Sequence, residues 1–316
     1  MNPFTSRRAD SVLAQGELQL ITLIRRWLGR ASPRSPFGIG DDCAVVPPTP
    51  NHLLITTDPV IYGRHFDATV PARAVGAKLL KRNLSDIAAM GGRPRTAVLS
   101  LALAPETSVA WLRSFYLGLA ACAQQYRVKI VGGDITQGPA GFVGAFLTLH
   151  GESTGDRVIT RTGAGRGDTI FVTGRLGGSL AGHHHRFTPR LAEGQWLARQ
   201  PEVTAMMDVS DGIAKDVQSL TPPGLMASVS AAQVPVSTAA RAVARRTGRP
   251  AWVHALTDGE DYELLLVIDR TADGAAFLRR WRRRFRTPLQ PIGHFAKDIA
   301  PGHVQWHTLR GYEHLR

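Results

Sequence analysis

Apolar and polar positions along the 316-residue chain switch repeatedly between two periods. Short alternating or continuous apolar runs at residues 52–58, 95–103, 128–134 and 142–151 predict strands. Between them the apolar spacing changes to three and four. Residues 71–91 predict a helix, with Pro71 suited to a first-turn position and Gly91 and Gly92 ending it. Residues 107–126 predict a second helix, with Trp111, Phe115, Leu119 and Cys122 along one face. After the glycine-rich stretch 161–168 the series starts again. Residues 169–174 and 262–268 read as strands, and 211–220 opens a helix. The alternation predicts an α/β (α+β) chain in two domains, residues 1–152 and 153–316, divided near the turn at 151–167.

Composition changes this picture little. Hydrophobic residues make up 43% and charged residues 20%, as in an ordinary soluble globular protein. Two cysteines, Cys43 and Cys122, lack zinc or CxxC spacing, so a disulfide framework is not expected and a reducing cytoplasm fits. No apolar run approaches the ~20 residues that span a bilayer, and residues 1–18 lack the apolar core of a signal peptide. No membrane partner is therefore expected.

The net charge of +13 raises the question of nucleic acid. The arginines are nevertheless spread along the chain. In the densest cluster, residues 278–286, Leu278, Trp281 and Phe285 recur at helical spacing, which assigns the arginines to the wet side of an amphipathic helix. No nucleic-acid partner is expected, although the charge favours anionic substrates by steering.

The acids carry the candidate chemistry. Asp58 and Asp134 close predicted strands, Asp208 and Asp211 bracket another strand end, and Asp42 follows a glycine turn beside Asp41. Asp86 lies within the 71–91 helix. Acids at the carboxyl ends of strands point into the crevice where α/β proteins bind ligands. Singly, each has a plain explanation; Asp211, for example, is placed to cap the helix that follows. As a set they call for cations. Mg²⁺ prefers oxygen ligands and brings substrate phosphates with it, and Thr56 and Thr57 offer further oxygens beside Asp58. No G-x-x-x-x-G-K-[ST] or H-R-D motif occurs, which excludes P-loop and protein-kinase chemistry.

In order along the chain, GELQLI, GIGDDCAVV, TTDPVIYGRHF, NLSDIAAMGG, GGDIT, TRTGAGRGD, VTGRLGGSLAG, MDVSDGIAKD, DGEDYELL and GYEHL run from residue 16 to 315. This series resembles the thiamine-monophosphate kinase family of the AIR-synthase-like superfamily. The resemblance implies two AIR-synthase-like domains, with N-terminal strands forming a barrel across a homodimer. It implies in-line transfer of the ATP γ-phosphoryl group to thiamine monophosphate, assisted by several Mg²⁺ ions. By position it assigns Asp42, Thr56, Thr57, Asp58, Asp86, Asp134, Asp208 and Asp211 to metal binding. Tyr116, Gly133, Asp134, Arg161 and Ser210 fall on ATP-contacting positions, and His65, Glu260 and Tyr312 on positions facing the thiamine substrate. No general base is implied, because the attacking phosphate oxygen is already ionised.

The chain departs from the family pattern at several points. Asp258 stands where the family has glycine, Gly178 where it has aspartate, and Arg64 precedes His65. Residues 183–190, HHHRFTPR, replace a longer helical insertion, and the histidine triplet reads as an exposed loop. The alternatives are another ATP-dependent enzyme of the superfamily with a different acceptor, and a non-catalytic nucleotide-binding protein.

Overall fold

The computed structural model describes residues 2–34, 37–39, 46 and 48–312. The chain divides into two compact units, Met1–Ile87 with Arg93–Ser153, and Ala88–Gly92 with Thr154–Arg316. Elements run in the order α1 (Val12–Gln15), α2 (Glu17–Leu28), β1 (Leu53–Ile61), α3 (Ala72–Ala89), β2 (Gly92–Leu103), α4 (Val109–Tyr126), β3 (Lys129–Gln137) and β4 (Val143–Ser153). There follow β5 (Thr169–Thr173), α5 (His183–Arg186), α6 (Leu191–Leu197), β6 (Val203–Asp208), α7 (Ile213–Leu220), β7 (Met226–Val229), α8 (Thr238–Thr247), α9 (Ala251–Thr257), β8 (Leu264–Ile268), α10 (Gly274–Arg284) and β9 (Leu289–Ala296).

The first sheet has the order β1-β4-β2-β3, with β1 antiparallel to β4 and β2 parallel to β3. The pleat sends Leu54, Thr56, Asp58 and Val60 to one face of β1 and Leu53, Ile55 and Thr57 to the other. Val60 is buried on the first face; Leu53, Ile55 and Thr57 are exposed on the second. The four predicted apolar positions of α4 are all buried, and Ser108 caps the helix by accepting from Trp111 N at 3.3 Å. Phe66, Trp111 and Phe115 stack with centroids 5.8 and 5.6 Å apart. At Gly118 an added Cβ would lie 1.8 Å from Arg73 O, so only glycine allows α4 to pass that backbone.

The second sheet has the order β6-β8-β5-β9-β7, and all four neighbouring pairs are antiparallel. β8 is an interior strand, between β6 and β5, and fully buried, as its unbroken LLLVI run requires. The α10 arginines Arg282, Arg283 and Arg284 are exposed as expected, but the buried face is Phe277 with Trp281, while Leu278 and Phe285 are only half-buried.

The mixed α/β class holds, but the strand-end placement of two acids does not. β1 continues to Ile61 beyond Asp58, and β3 continues to Gln137 beyond Asp134. Ladder partners carry both strands through the acid. Pro59, Val60 and Ile61 pair with Phe146, Ala145 and Gly144, and Ile135, Thr136 and Gln137 pair with Leu101, Ala102 and Leu103. Asp208 does end β6, and Asp86 lies within α3. Among the described residues no helix is long and apolar enough to cross a membrane.

Candidate functional site

Asp42, with Asp41, lies outside the described residues. In the first unit Thr56, Asp58 and Asp86 come together. Thr56 Oγ1 donates a short hydrogen bond to Asp86 Oδ2. Arg82, one turn before Asp86 on α3, donates from Nη2 to Asp58 Oδ1 at 3.1 Å and from Nη1 to Pro59 O at 2.6 Å. Its side chain is 8% exposed and supplies a counter-charge to Asp58. Thr57 faces the opposite way; its hydroxyl donates to Leu147 O at 3.1 Å and accepts from Thr148 at 3.3 Å.

Gly133 and Asp134 are neighbours on β3, paired with Leu99 and Ser100 of β2. A Cβ at 133 would lie 2.0 Å from Leu99 O, so the close β2–β3 approach requires glycine. Together with Tyr116 they line a cavity of about 540 Å³, closed on the α2 side by Ile21, Ile24 and Leu28. Tyr116 is 3% exposed, and burial pushes its phenol above the ordinary tyrosine range. The cavity thus has an apolar side and an acidic rim, the usual make-up of a small-molecule site. His65 is half-buried. Its Nδ1 accepts from Ile61 N at 3.1 Å, which places the proton of the neutral ring on Nε2.

In the second unit Asp208, Ser210, Asp211, Glu260 and Tyr312 form one group. Asp208 is 3% exposed at the end of β6. Asp211 does not cap α7: Gly212 is the capping residue and makes no side-chain bond. Asp216 acts instead, its Oδ2 accepting from Ser210 N at 3.0 Å and Asp211 N at 3.1 Å. Burial, reinforced by the charges of Asp208 and Asp211, pushes the Asp216 carboxyl up to about 8. Asp211 pairs with Lys215 at 2.5 Å, and Lys215 also donates to Tyr312 O at 3.1 Å. Tyr312 N donates to Asp211 O at 2.9 Å. Glu260 N donates to Ser210 O at 2.7 Å. Arg161 is exposed, in the loop before β5.

Three acids compete for the substrate-facing role in 260–263, and burial separates them. Asp261 and Glu263 are 1% and 2% exposed, whereas Glu260 is only half-buried. Glu263 is held by Arg190, while Asp261 Oδ1 accepts from Gly177 N at 2.8 Å. Among the described residues Asp261 Oδ2 is buried without a hydrogen-bond partner, and burial holds this carboxyl well above the usual carboxylate range. A group raised in this way contributes stability below about pH 4, its unfolded value, and loses it as pH rises towards the folded value. Asn in its place would keep the acceptor for Gly177 and mimic the protonated Oδ2. Asp261→Asn is therefore expected to gain stability relative to the parent between pH 5 and pH 8, read from urea midpoints at the two values. An unchanged difference would show that Asp261 bears its charge without penalty.

Several side chains at the site were not foreseen. Lys215 follows Asp211 at i+4, a spacing legible in the sequence as an ion pair. Arg82 and Asp216 had no comparable local signal. The histidine triplet is not an exposed loop. It forms α5, with His184 7% exposed, because His183, His184 and Phe187 pack on Asp261, Glu260 and Tyr262. Two departures meet in one bond, Gly178 N donating to Asp258 Oδ2 at 2.8 Å. Among the described residues no three His, Cys, Asp or Glu side chains gather into a cluster able to hold a metal. Asp58 and Asp86 nonetheless offer accessible oxygen donors with Thr56, suited to a hard cation that completes its shell with water and phosphate.

Residues 40–152 match the family described as AIR synthase related protein, N-terminal domain. The chain is 31% identical to thiamine-monophosphate kinase of Escherichia coli K12, covering 96% of this chain and 99% of that protein. The crystal structure of thiamine-monophosphate kinase from Stenotrophomonas maltophilia K279a superposes with a TM-score of 0.74 at 33% identity, covering 89% of this chain and 94% of that one. The complex of AaThiL with AMPPCP and TMP gives a TM-score of 0.69 at 29% identity, over 94% of each chain. With this identity extending over nearly all of both sequences, the chain belongs to the thiamine-monophosphate kinase family.

Proposed function

We propose that this protein transfers the γ-phosphoryl group of ATP to thiamine monophosphate, giving thiamine diphosphate and ADP. Beyond family membership, the observation that carries this reading is the cavity of about 540 Å³ bordered by Tyr116, Gly133 and Asp134. Its apolar side suits a purine and its acidic rim suits metal-bound phosphates. A terminal oxygen of the acceptor phosphate forms the new bond to Pγ. The bond from Pγ to the bridging oxygen breaks, and its electron pair leaves with ADP. The attacking oxygen is already ionised, so no side chain has to remove a proton.

Asp42, Thr56, Thr57, Asp58, Asp86 and Asp134 of the first unit, and Asp208 and Asp211 of the second, are the proposed Mg²⁺-holding set, Thr57 through its backbone carbonyl because its hydroxyl faces the other way. When bound, Mg²⁺ relieves repulsion between the two polyanions and aligns the attacking and leaving oxygens. Arg161 and Ser210 would hold ATP phosphates. Glu260 would accept from the acceptor's aminopyrimidine, His65 would donate from Nε2, and Tyr312 would stack on the cationic ring. At 44% exposure that stacking contributes about 1 kcal/mol. A homodimer is part of the proposal, supported by Leu53, Ile55 and Phe146 exposed on β1 and β4. A cytoplasmic setting agrees with the sparse cysteines.

The test is incubation of the purified protein with ATP, Mg²⁺ and thiamine monophosphate, with thiamine as a parallel acceptor. Thiamine diphosphate and ADP in equal amounts, abolished by EDTA, are the expected result. Mg²⁺-dependent ATP binding without product would overturn the acceptor assignment and favour another acceptor.

A further inference from the structure

The segment that replaces the family's longer insertion lies on the residues that would receive the acceptor. His183 Nε2 is 3.1 Å from Asp261 O. His184 Nδ1 is 3.4 Å from Glu260 Oε2, with the imidazole 8% exposed. Phe187 stacks on Tyr262 with centroids 4.0 Å apart and planes at 18°. Tyr262 in turn donates from its hydroxyl to Glu260 Oε1 at 3.3 Å. Three residues of one short segment thus meet residues 260, 261 and 262. Glu260 is approached on both carboxylate oxygens, by His184 on one and Tyr262 on the other.

Glu260 requires such support. Glu260 and Tyr262 both have φ of +53°, in the left-handed region, while Asp261 between them is buried. An extended carboxylate side chain on so short a turn has several staggered rotamers open to it, and the Tyr262 hydrogen bond on Oε1 together with His184 Nδ1 at 3.4 Å from Oε2 favours one. His185 Nδ1 lies 3.2 Å from His184 Nε2, which anchors the far side of the imidazole.

We infer that His184 is a positioning residue for acceptor recognition: it fixes the Glu260 carboxylate between itself and Tyr262, so that affinity for the acceptor, and not for ATP or the transfer step, depends on it. This deepens the proposed function and rests on its assignment of Glu260 to the acceptor.

The test uses the full chain and two readouts. In the first, the KM values for thiamine monophosphate and ATP are measured for His184→Ala and His184→Asn. Asn presents an amide where Nδ1 now lies. His184→Ala is expected to raise the KM for thiamine monophosphate about tenfold, leaving kcat and the KM for ATP within about twofold. His184→Asn is expected to recover most of the loss. A merely structural role would lower kcat and disturb both KM values together, and that result would overturn the inference. In the second readout, the ¹⁵N shift of His184 Nδ1 is followed at fixed pH in the parent and in Glu260→Gln. A displaced resonance supports the contact without reference to turnover; an unmoved one overturns it. A parent protein that shows the displacement yet phosphorylates no thiamine monophosphate would support the His184–Glu260 contact while overturning the acceptor reading.

Discussion

Asp86→Asn is expected to lower turnover at least about 100-fold and to leave the fold intact. The two effects separate because of where Asp86 stands. It is half-buried on α3 with Oδ2 accepting from Thr56, and an asparagine carbonyl can accept the same bond. What the substitution removes is charge. Arg82 meets the charge of Asp58 at 3.1 Å, while the Thr56 hydroxyl that donates to Asp86 is neutral. A divalent cation drawn there with ATP phosphates would lose a full unit of attraction. Turnover is measured as ADP release at saturating ATP, with a Mg²⁺ titration, and the fold is checked by thermal melting followed by circular dichroism. The midpoint of the Mg²⁺ dependence should move to higher concentration. Turnover within threefold of the parent would remove Asp86 from the metal-holding set.

Arg190→Ala is expected to cause the largest loss of stability. Glu263 opens the run into β8, 2% exposed, and its charge is met by Arg190 Nε at 2.7 Å and Nη2 at 2.5 Å. Thr173 Oγ1 adds a third hydrogen bond at 2.6 Å. Removing one partner of a buried pair leaves the other charge desolvated, at about 3–5 kcal/mol. In a unit of this size that corresponds to a fall in melting temperature of about 10 °C. The double substitution Arg190→Met with Glu263→Gln removes both charges and should restore most of the loss, which denaturant unfolding of the three proteins would show. A double variant as unstable as Arg190→Ala would mean that packing by the arginine stem, not charge, supplies the stabilisation.

Much of the fold follows from periodicity. Pro71 and Gly91 mark the ends of the helix Ala72–Ala89, and the apolar face of Trp111, Phe115, Leu119 and Cys122 marks Val109–Tyr126. Their apolar faces extend over four or more turns, enough for local pattern to dominate. The lengths of β1 and β3 were not legible, because their last residues are held by ladder partners distant in sequence. The same distinction runs through the site. The acids announce themselves by type and motif, and Lys215 by its place one turn from Asp211. Arg82 is visible only once β1 lies against α3, and Asp216 only once its carboxyl folds back on the 210–211 amides. A histidine triplet is polar in isolation, so the burial of His184 is not legible locally; it follows from the contacts of His183, His184 and Phe187 to residues 260–262, distant in sequence.

The left-handed backbone at Glu260 and Tyr262 has a bearing on engineering. Each non-glycine residue held there costs of order 1 kcal/mol. Glycine at 260 would relax the turn and at the same time discard the carboxylate proposed to greet the acceptor. Thermostability and substrate capture therefore pull this position in opposite directions. A redesign scored on melting temperature alone would drift towards a robust, indifferent enzyme; keeping 260–262 fixed and seeking gains elsewhere avoids that trade-off.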